Sequence, residues 1–290
     1  MAPNAPLPKI VRTVKDLRRH ITTFRKAGET VALVPTMGAL HDGHLKLVET
    51  AKKKAQRAVV SIFVNPTQFA PGEDLARYPR DEAGDRAKLA VVCTDLIWAP
   101  SPDEMYGENF ATRIEVEGAA KVLEGEFRPH HFGGVATVCC KLFSQVTPDI
   151  AIFGEKDYQQ LCVIQQMVRD LNLPLKIHGM ATVREKDGLA LSSRNAYLSE
   201  EERARAPVLN ATIRKVAEMV ASGSRQHAAI NTATKALEKA GFGPIDYIAV
   251  ADAETLGPWR HGTGRPGRVL AAAKLGTTRL IDNVPIPTTT

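Results

Sequence analysis

Two imidazoles three residues apart, His41 and His44, stand in the string Pro35-Thr36-Met37-Gly38-Ala39-Leu40-His41-Asp42-Gly43-His44. The run before it, Val31 to Val34, is wholly apolar, the pattern of a parallel strand buried on both faces, and Pro35 is expected to end it. Gly38 and Gly43 allow a tight turn and a close approach of ligand to backbone. From His44 the pattern is helical, with Leu45, Val48, Ala51 and Ala55 on one stripe. The histidines therefore sit where a strand hands over to a helix. Such a place offers free backbone N–H groups and a dipole of roughly half a positive charge, and it suits a phosphate. His-x-x-His could instead hold a metal, but the first His precedes the helix and no third ligand stands beside it. A plain polar loop explains neither the glycines nor the buried strand.

Three further groups carry matching chemistry. Gly154-Glu155-Lys156-Asp157 follows another apolar run and offers an ammonium for a phosphate and a carboxylate for a ribose hydroxyl. Ser192-Ser193-Arg194 offers two hydroxyls and a guanidinium fork suited to phosphate oxygens. Gln68 and Gln160 are neutral amides, able to orient a small hydroxy acid without neutralising its carboxylate. Each group alone reads as an ordinary charged turn, helix cap or surface amide. Their weight comes from falling after successive buried strands.

The elements that must position them follow from periodicity. Residues 12–27 read as a helix stopped at Gly28. Apolar strands are expected at Val31–Val34, Val59–Val64, Asp95–Ala99, Ile150–Phe153 and Leu175–His178, with a short strand at Thr112–Val116. Helices are expected from His44, over Ala83–Val92, over Phe132–Val146, and to about Leu171. Strands alternating with helices imply a doubly wound, Rossmann-like parallel α/β sheet, with ligands beyond the carboxyl ends of its strands. Residues 70–82 show no period and read equally as a mobile lid or a surface loop. After about residue 183 the pattern changes. One helix from a Ser199 cap to about Val220, another over Gln226–Ala240, and strands at Asp246–Val250, Val269–Lys274 and Arg279–Asn283 make a smaller α+β domain. The expected division is 1–183, a Rossmann-like nucleotide-binding domain, and 184–290, a smaller domain closing over the active site. Gly257 to Gly267 is a Gly/Pro-rich loop and Pro285 to Thr290 a frayed tail.

Composition bounds the rest. At 290 residues with a net charge of +6, the chain fits anionic ligands. Basic residues are interleaved with acids, so a nucleic-acid partner is not expected. No apolar run reaches the ~20 residues of a membrane helix, and Met1 to Lys9 lacks a signal-peptide core, so the expectation is a cytoplasmic protein with no membrane partner. Cys93, Cys139, Cys140 and Cys162 form no C-x-x-C pair and read as reduced, mostly buried residues.

The turn at 35–44 resembles the His-x-Gly-His signature of nucleotidylyltransferases and class I aminoacyl-tRNA synthetases. The full string, with 61–69, 153–160 and 183–198, resembles the pantothenate synthetase (pantoate–β-alanine ligase) family, over about residues 10 to 284. The resemblance implies a two-step ligase. The pantoate carboxylate attacks the α-phosphorus of ATP to give pantoyl adenylate and pyrophosphate. The β-alanine amine then attacks the acyl carbon to give pantothenate and AMP. It implies His44 and His41 as catalytic groups, with Lys156 and Arg194, in charge stabilisation aided by Mg²⁺. It implies ATP binding by Met37, Gly38, Ala39, Leu40, His41, Asp42, Gly43, His44, Gly154, Glu155, Lys156, Asp157, Val183, Leu191, Ser192, Ser193 and Arg194. Gln68 and Gln160 match pantoate-touching positions, Gln68 also touching β-alanine. Leu191 stands where some members carry Met. A homodimer is implied as well. The rival readings are another nucleotidylyltransferase of the superfamily, which would release pyrophosphate but no AMP, and an RNA-binding module derived from a synthetase core, which would bind RNA in a salt-dependent way.

Overall fold

The computed structural model describes residues 6–70, 73 and 75–287. In chain order the elements are β1 (Lys9–Val11), α1 (Val14–Lys26), β2 (Val31–Thr36), α2 (Asp42–Lys54), β3 (Arg57–Ile62), α3 (Glu82–Val91), β4 (Leu96–Trp98), α4 (Pro102–Tyr106), α5 (Glu124–Phe127), α6 (His131–Val146), β5 (Ile150–Gly154), α7 (Tyr158–Asp170), β6 (Lys176–Met180), α8 (Glu200–Arg205), α9 (Val208–Ala221), α10 (Gln226–Lys239), β7 (Phe242–Asp252), β8 (Gly267–Leu275) and β9 (Thr278–Pro285). The chain forms two compact units. The first takes in Met1–Val116, His130–Glu155 and Val163–Ala181; the second takes in Glu117–Pro129, Lys156–Cys162 and Thr182–Thr290.

In the first unit six parallel strands run in the order β1-β4-β3-β2-β5-β6. Ala32 and Val34 of β2 turn toward one face, where they pack with Leu47, Val48 and Ala51 of α2 and Leu89 of α3. The alternate residues, Val31 and Leu33, are equally buried and face the other side, where α6 packs on β2 and on α1. The expected doubly wound sheet is therefore present. The chain passes from β2 outward to β3 and β4, then crosses back to β5 on the other side of β2. The strand order reverses between β2 and β5, the point where such sheets bind ligands.

The elements differ from the sequence reading in places, each with a local cause. Strand β1 was not anticipated; three residues are too few to show a period. Pro35 does not end β2, which runs on to Thr36. The carbonyls of Thr30 and Thr36 face β3 and that of Val31 faces β5. By alternation the missing N–H of Pro35 points toward β5, beyond the last β2–β5 pair at Leu33–Ala151, so no ladder bond is lost. Thr112–Val116 is not a strand: the Ile114 N–H donates to the Thr137 hydroxyl on α6 at 2.9 Å instead. Ser101 caps the short α4, hidden in sequence behind Pro-Ser-Pro.

In the second unit β7, β8 and β9 form an antiparallel sheet covered by α9 and α10. Val269, Ala271, Ala273 and Leu275 of β8 pack there with Ile213, Val216, Val220 and Leu237. The single helix expected from Ser199 to Val220 is two, α8 and α9. Pro207 has no N–H to give the Arg203 carbonyl, and the ladder lapses there. Strand β7 begins at Phe242, earlier than expected, and tolerates Gly243-Pro244 through register shifts against β8. Pro285 ends β9 and Ile286 is buried, its N–H donating to Gly267 at 2.8 Å, so the expected frayed tail starts later; Thr288–Thr290 lie outside the described residues. Cys139 and Cys162 are buried as expected, but Cys93 is exposed. Within 70–82, Pro71, Gly72 and Asp74 lie outside the described residues, while Tyr78 is buried and packs edge-on against Phe69.

Candidate active site

In the first unit the polar motifs follow the carboxyl ends of three neighbouring strands, β3, β2 and β5. The turn after β2 is left-handed at Gly38 (φ +81°) and Ala39 (φ +51°). His41 then caps α2. Its Nδ1 accepts the Gly43 N–H at 3.1 Å, and Nδ1 of His44 accepts the His41 N–H at 3.3 Å. Two histidines thus form a capping box, a task usually done by a hydroxyl and a carboxylate. Their rings lie 4.1 Å apart. Acceptance at Nδ1 leaves the proton of each neutral ring on Nε2, so each ring is an Nε2–H donor.

This corrects one expectation. Free backbone N–H groups were expected to serve a phosphate here. The N–H groups of Ala39 and Leu40 instead donate to the Asp85 carboxylate at 2.9 and 2.7 Å, and those of His41 and Gly43 donate to the imidazoles. The donors the turn can turn to a ligand are chiefly side chains. Met37 and Asp42 flank the turn, and Leu40 is buried in the core below it.

Gln68 ends a 3-10 turn, Pro66–Gln68, after β3. Its Nε2 donates to Met37 Sδ at 2.8 Å, which ties it to the histidine turn. Its Oε1 accepts from Asn65 Nδ2 at 3.2 Å, so its amide orientation is set. Asn65 was not singled out from the sequence, yet it is the hub: 1% exposed, it also accepts from Tyr106 Oη at 2.6 Å and donates to the Gly134 carbonyl at 3.2 Å. Burial raises the Tyr106 pKa, keeping the phenol a donor. A β-carbon on Gly134 would collide with the Thr67 carbonyl and lie 2.8 Å from the Gln68 N–H, so α6 and this turn touch backbone to backbone. Gly154 ends β5 and Glu155 opens the next 3-10 turn.

In the second unit a second group assembles on β9. Asn283 Nδ2 donates to the Lys156 carbonyl at 2.9 Å. Arg184 grips Asp282 through both guanidinium nitrogens, at 2.7 and 2.9 Å, and donates to the Asn283 carbonyl at 3.2 Å. Around Arg184 the chain turns back on itself: Arg184 bridges Ala190, and the Leu191 N–H donates to Val183. Ser192 caps the turn Ser193–Tyr197, its Oγ accepting the Arg194 N–H at 3.3 Å. β9 thus ties the Lys156 main chain to Arg184 and to the turn-back that carries Val183, Leu191, Ser192, Ser193 and Arg194. Arg184, Asp282 and Asn283 escaped the sequence reading because their pairing spans about a hundred residues of chain. The Lys156 ammonium lies 3.7 Å from Asp157, which is half exposed. Gln160 is half-buried in the first turn of α7 beside Gln159. The latter is buried, donating to the Ala119 and Val122 carbonyls at 2.7 and 2.6 Å, and is structural.

The chemistry these groups offer is hydrogen-bond donation and positive charge toward phosphate oxygens. Cys139 is no nucleophile for it: burial pushes its thiol up to about 12, far from a thiolate at neutral pH. Among the described residues no cluster of three metal-ligating side chains occurs, and no helix is long and apolar enough to cross a membrane.

The sequence model described as pantoate-beta-alanine ligase matches residues 9–285. Pantothenate synthetase of Mesorhizobium japonicum is 55% identical over 280 residues, 97% of this chain and 98% of the other. That of Caulobacter vibrioides is 52% identical over 282 residues, 96% of this chain and 99% of the other. Among solved structures, pantothenate synthetase from Thermus thermophilus superposes with a TM-score of 0.88 at 47% identity, covering 96% of this chain and 99% of the other. Pantoate-beta-alanine ligase from Francisella tularensis, complexed with beta-gamma ATP and beta-alanine, gives 0.82 at 32% identity, covering 97% and 99%.

Proposed function

The chain belongs to the pantoate–β-alanine ligase family, and from that premise we propose which of its residues do the work. The reaction is the ATP-dependent joining of pantoate to β-alanine, giving pantothenate, AMP and pyrophosphate through pantoyl adenylate. The observation that carries the assignment of roles is the histidine capping box at the sheet's reversal point. With each Nδ1 accepting a backbone N–H, His41 and His44 meet the phosphates as Nε2–H donors. A carboxylate nucleophile needs no deprotonation, so these rings stabilise charge on the pentavalent phosphorus and move no proton. Lys156 and Arg194 add positive charge to the same phosphates, and Ser192 and Ser193 add hydroxyl donors. Met37 to His44, Gly154 to Asp157, Val183 and Leu191 line the nucleotide, the N–H groups of Ala39 and Leu40 being already used by Asp85. Gln68 orients pantoate and β-alanine, and Gln160 orients pantoate. Mg²⁺ bound on the ATP phosphates would supply further charge neutralisation there, beside the Lys156 and Arg194 side chains.

The domains we propose follow the expected 1–183 and 184–290, except that Glu117–Pro129, Lys156–Cys162, Thr182 and Val183 go with the second. A cytoplasmic homodimer completes the reading; its support is the family resemblance, and sedimentation equilibrium tests it. The decisive experiment is nucleotide product analysis with ATP, Mg²⁺ and pantoate, with and without β-alanine. AMP on multiple turnovers only with β-alanine is the expected result. A stable nucleotidylated product with no AMP would overturn it.

A further inference from the structure

The helix α3 lies outside every segment to which a substrate contact has been given, yet it holds the histidine turn by three hydrogen bonds. Asp85, 2% exposed, accepts the Ala39 N–H on Oδ2 at 2.9 Å and the Leu40 N–H on Oδ1 at 2.7 Å. One helical turn on, Lys88 Nζ donates to the Leu40 carbonyl at 2.6 Å. Successive N–H groups around left-handed residues form a concavity that binds anions. Here the anion is the chain's own carboxylate. The fit leaves no slack: a β-carbon on Gly38 would lie 3.0 Å from Asp85 Oδ2 and 3.2 Å from Ile62 Cγ2. Ala39, a residue with a β-carbon, is held at φ +51°, a conformation costly for it outside such a frame.

We propose that Asp85, assisted by Lys88, is a positioning residue for adenylate formation. It fixes residues 38–40 so that His41 caps α2 and both imidazoles keep their Nε2–H groups on the phosphates, while it touches no substrate itself. The proposal rests on the reading that the histidine turn acts on ATP. Burial also raises the Asp85 pKa, against the pull of the two N–H groups. Its ionised form is thus held at a cost to stability at neutral pH, as expected of a group kept for the site it orders.

The test compares Asp85→Asn, Lys88→Met and His44→Ala with the unaltered chain. Asp85→Asn keeps the shape but turns an amide N–H₂ toward one of the two N–H donors. Expected are faster backbone amide exchange over residues 37–44 of the whole ligand-free protein, and pyrophosphate release in a single turnover slowed by about 10- to 100-fold. The KM for pantoate stays within about twofold, and the melting temperature within about 4 °C. A purely structural role would lower melting without this split. If His44→Ala is slow while Asp85→Asn releases pyrophosphate at the unaltered rate, the positioning role is overturned and the histidine reading stands. If His44→Ala also runs at full rate, both fall. Should Asp85→Asn not fold, Lys88→Met decides: slowing of about threefold or more supports the proposal, and an unchanged rate with unchanged exchange overturns it.

Discussion

The two histidines owe their chemistry to which nitrogen the backbone occupies. With Nδ1 of His41 on the Gly43 N–H and Nδ1 of His44 on the His41 N–H, each ring has one donor left, at Nε2. Replacing His44 by Ala removes the donor proposed for the phosphates and half of the capping box together. Adenylate formation is expected to slow by on the order of 10²–10³-fold, measured as pyrophosphate release in a single turnover. The cap loss adds about 1 kcal/mol of instability, readable as a shifted denaturation midpoint. His44→Gln separates the two, since its amide can still donate. Recovery of a large part of the rate in His44→Gln would show donation, and not imidazole basicity, to be the function. The presence of His41 and His44 was legible in the sequence. The role of Asp85 was not, because an Asp in a helix of mixed charge looks like any solvated one until its two N–H partners, 45 and 46 residues away, are seen.

At the scale of elements, function depends on where helix and turn termini meet. The start of α6 presses on Pro66–Gln68 with only a glycine hydrogen between them. Gly134→Ala is expected to push that turn out, costing about 1–3 kcal/mol by overpacking. It should also raise the KM for pantoate more than that for ATP, because Gln68 moves and the histidine turn stays pinned by α3. Equal effects on both constants would count against Gln68 as a pantoate contact. At α8 the Ser199 hydroxyl accepts the Glu202 N–H at 3.2 Å and Glu202 Oε2 accepts the Ser199 N–H at 2.9 Å. Ser199→Ala should cost about 1 kcal/mol in a urea titration and leave turnover unchanged. The Ser199 cap was legible in the sequence; the returning bond from Glu202 was seen only in the structure. The break at Pro207 was overlooked because a charged helical run with no buried residue, followed directly by the apolar period of α9, reads as one helix.

For the molecule as a whole, pH dependence sorts its hydrogen-bonded carboxylates into two kinds. Burial alone would raise the pKa of Asp149, but the Arg25 guanidinium and the Val31 N–H outweigh it and hold it low. Burial is likewise outweighed at Asp252, by the N–H and hydroxyl of Thr255, the Glu254 N–H and Arg265. A carboxyl whose folded pKa lies below its unfolded value of about 3.9 adds stability above that pH and loses it as the pH falls through the folded value. Asp85, shifted upward, does the reverse. Urea midpoints should therefore decline as pH falls below about 4, and Asp149→Asn should flatten that decline. An unchanged slope in Asp149→Asn would sink this attribution.

Composition, periodicity and motif spacing determined the class of fold, the alternation of strands and helices to residue 183, the change of pattern beyond it, and the polar groups that follow the strands. They could do so because burial on both faces of a parallel sheet writes a continuous apolar run, and helix and turn termini demand particular residue types. Only the tertiary structure decided the rest. It set the order β1-β4-β3-β2-β5-β6, which makes the turn after β2 the reversal point of the sheet. It gave the turn's N–H groups to Asp85 and the imidazoles, not to a phosphate, and joined Lys156 to the 183–194 hairpin through Asn283. Each of these is a contact between residues far apart in the chain. A sequence records what a residue can donate or accept, but its partner is chosen by the packing that brings the two within hydrogen-bonding distance.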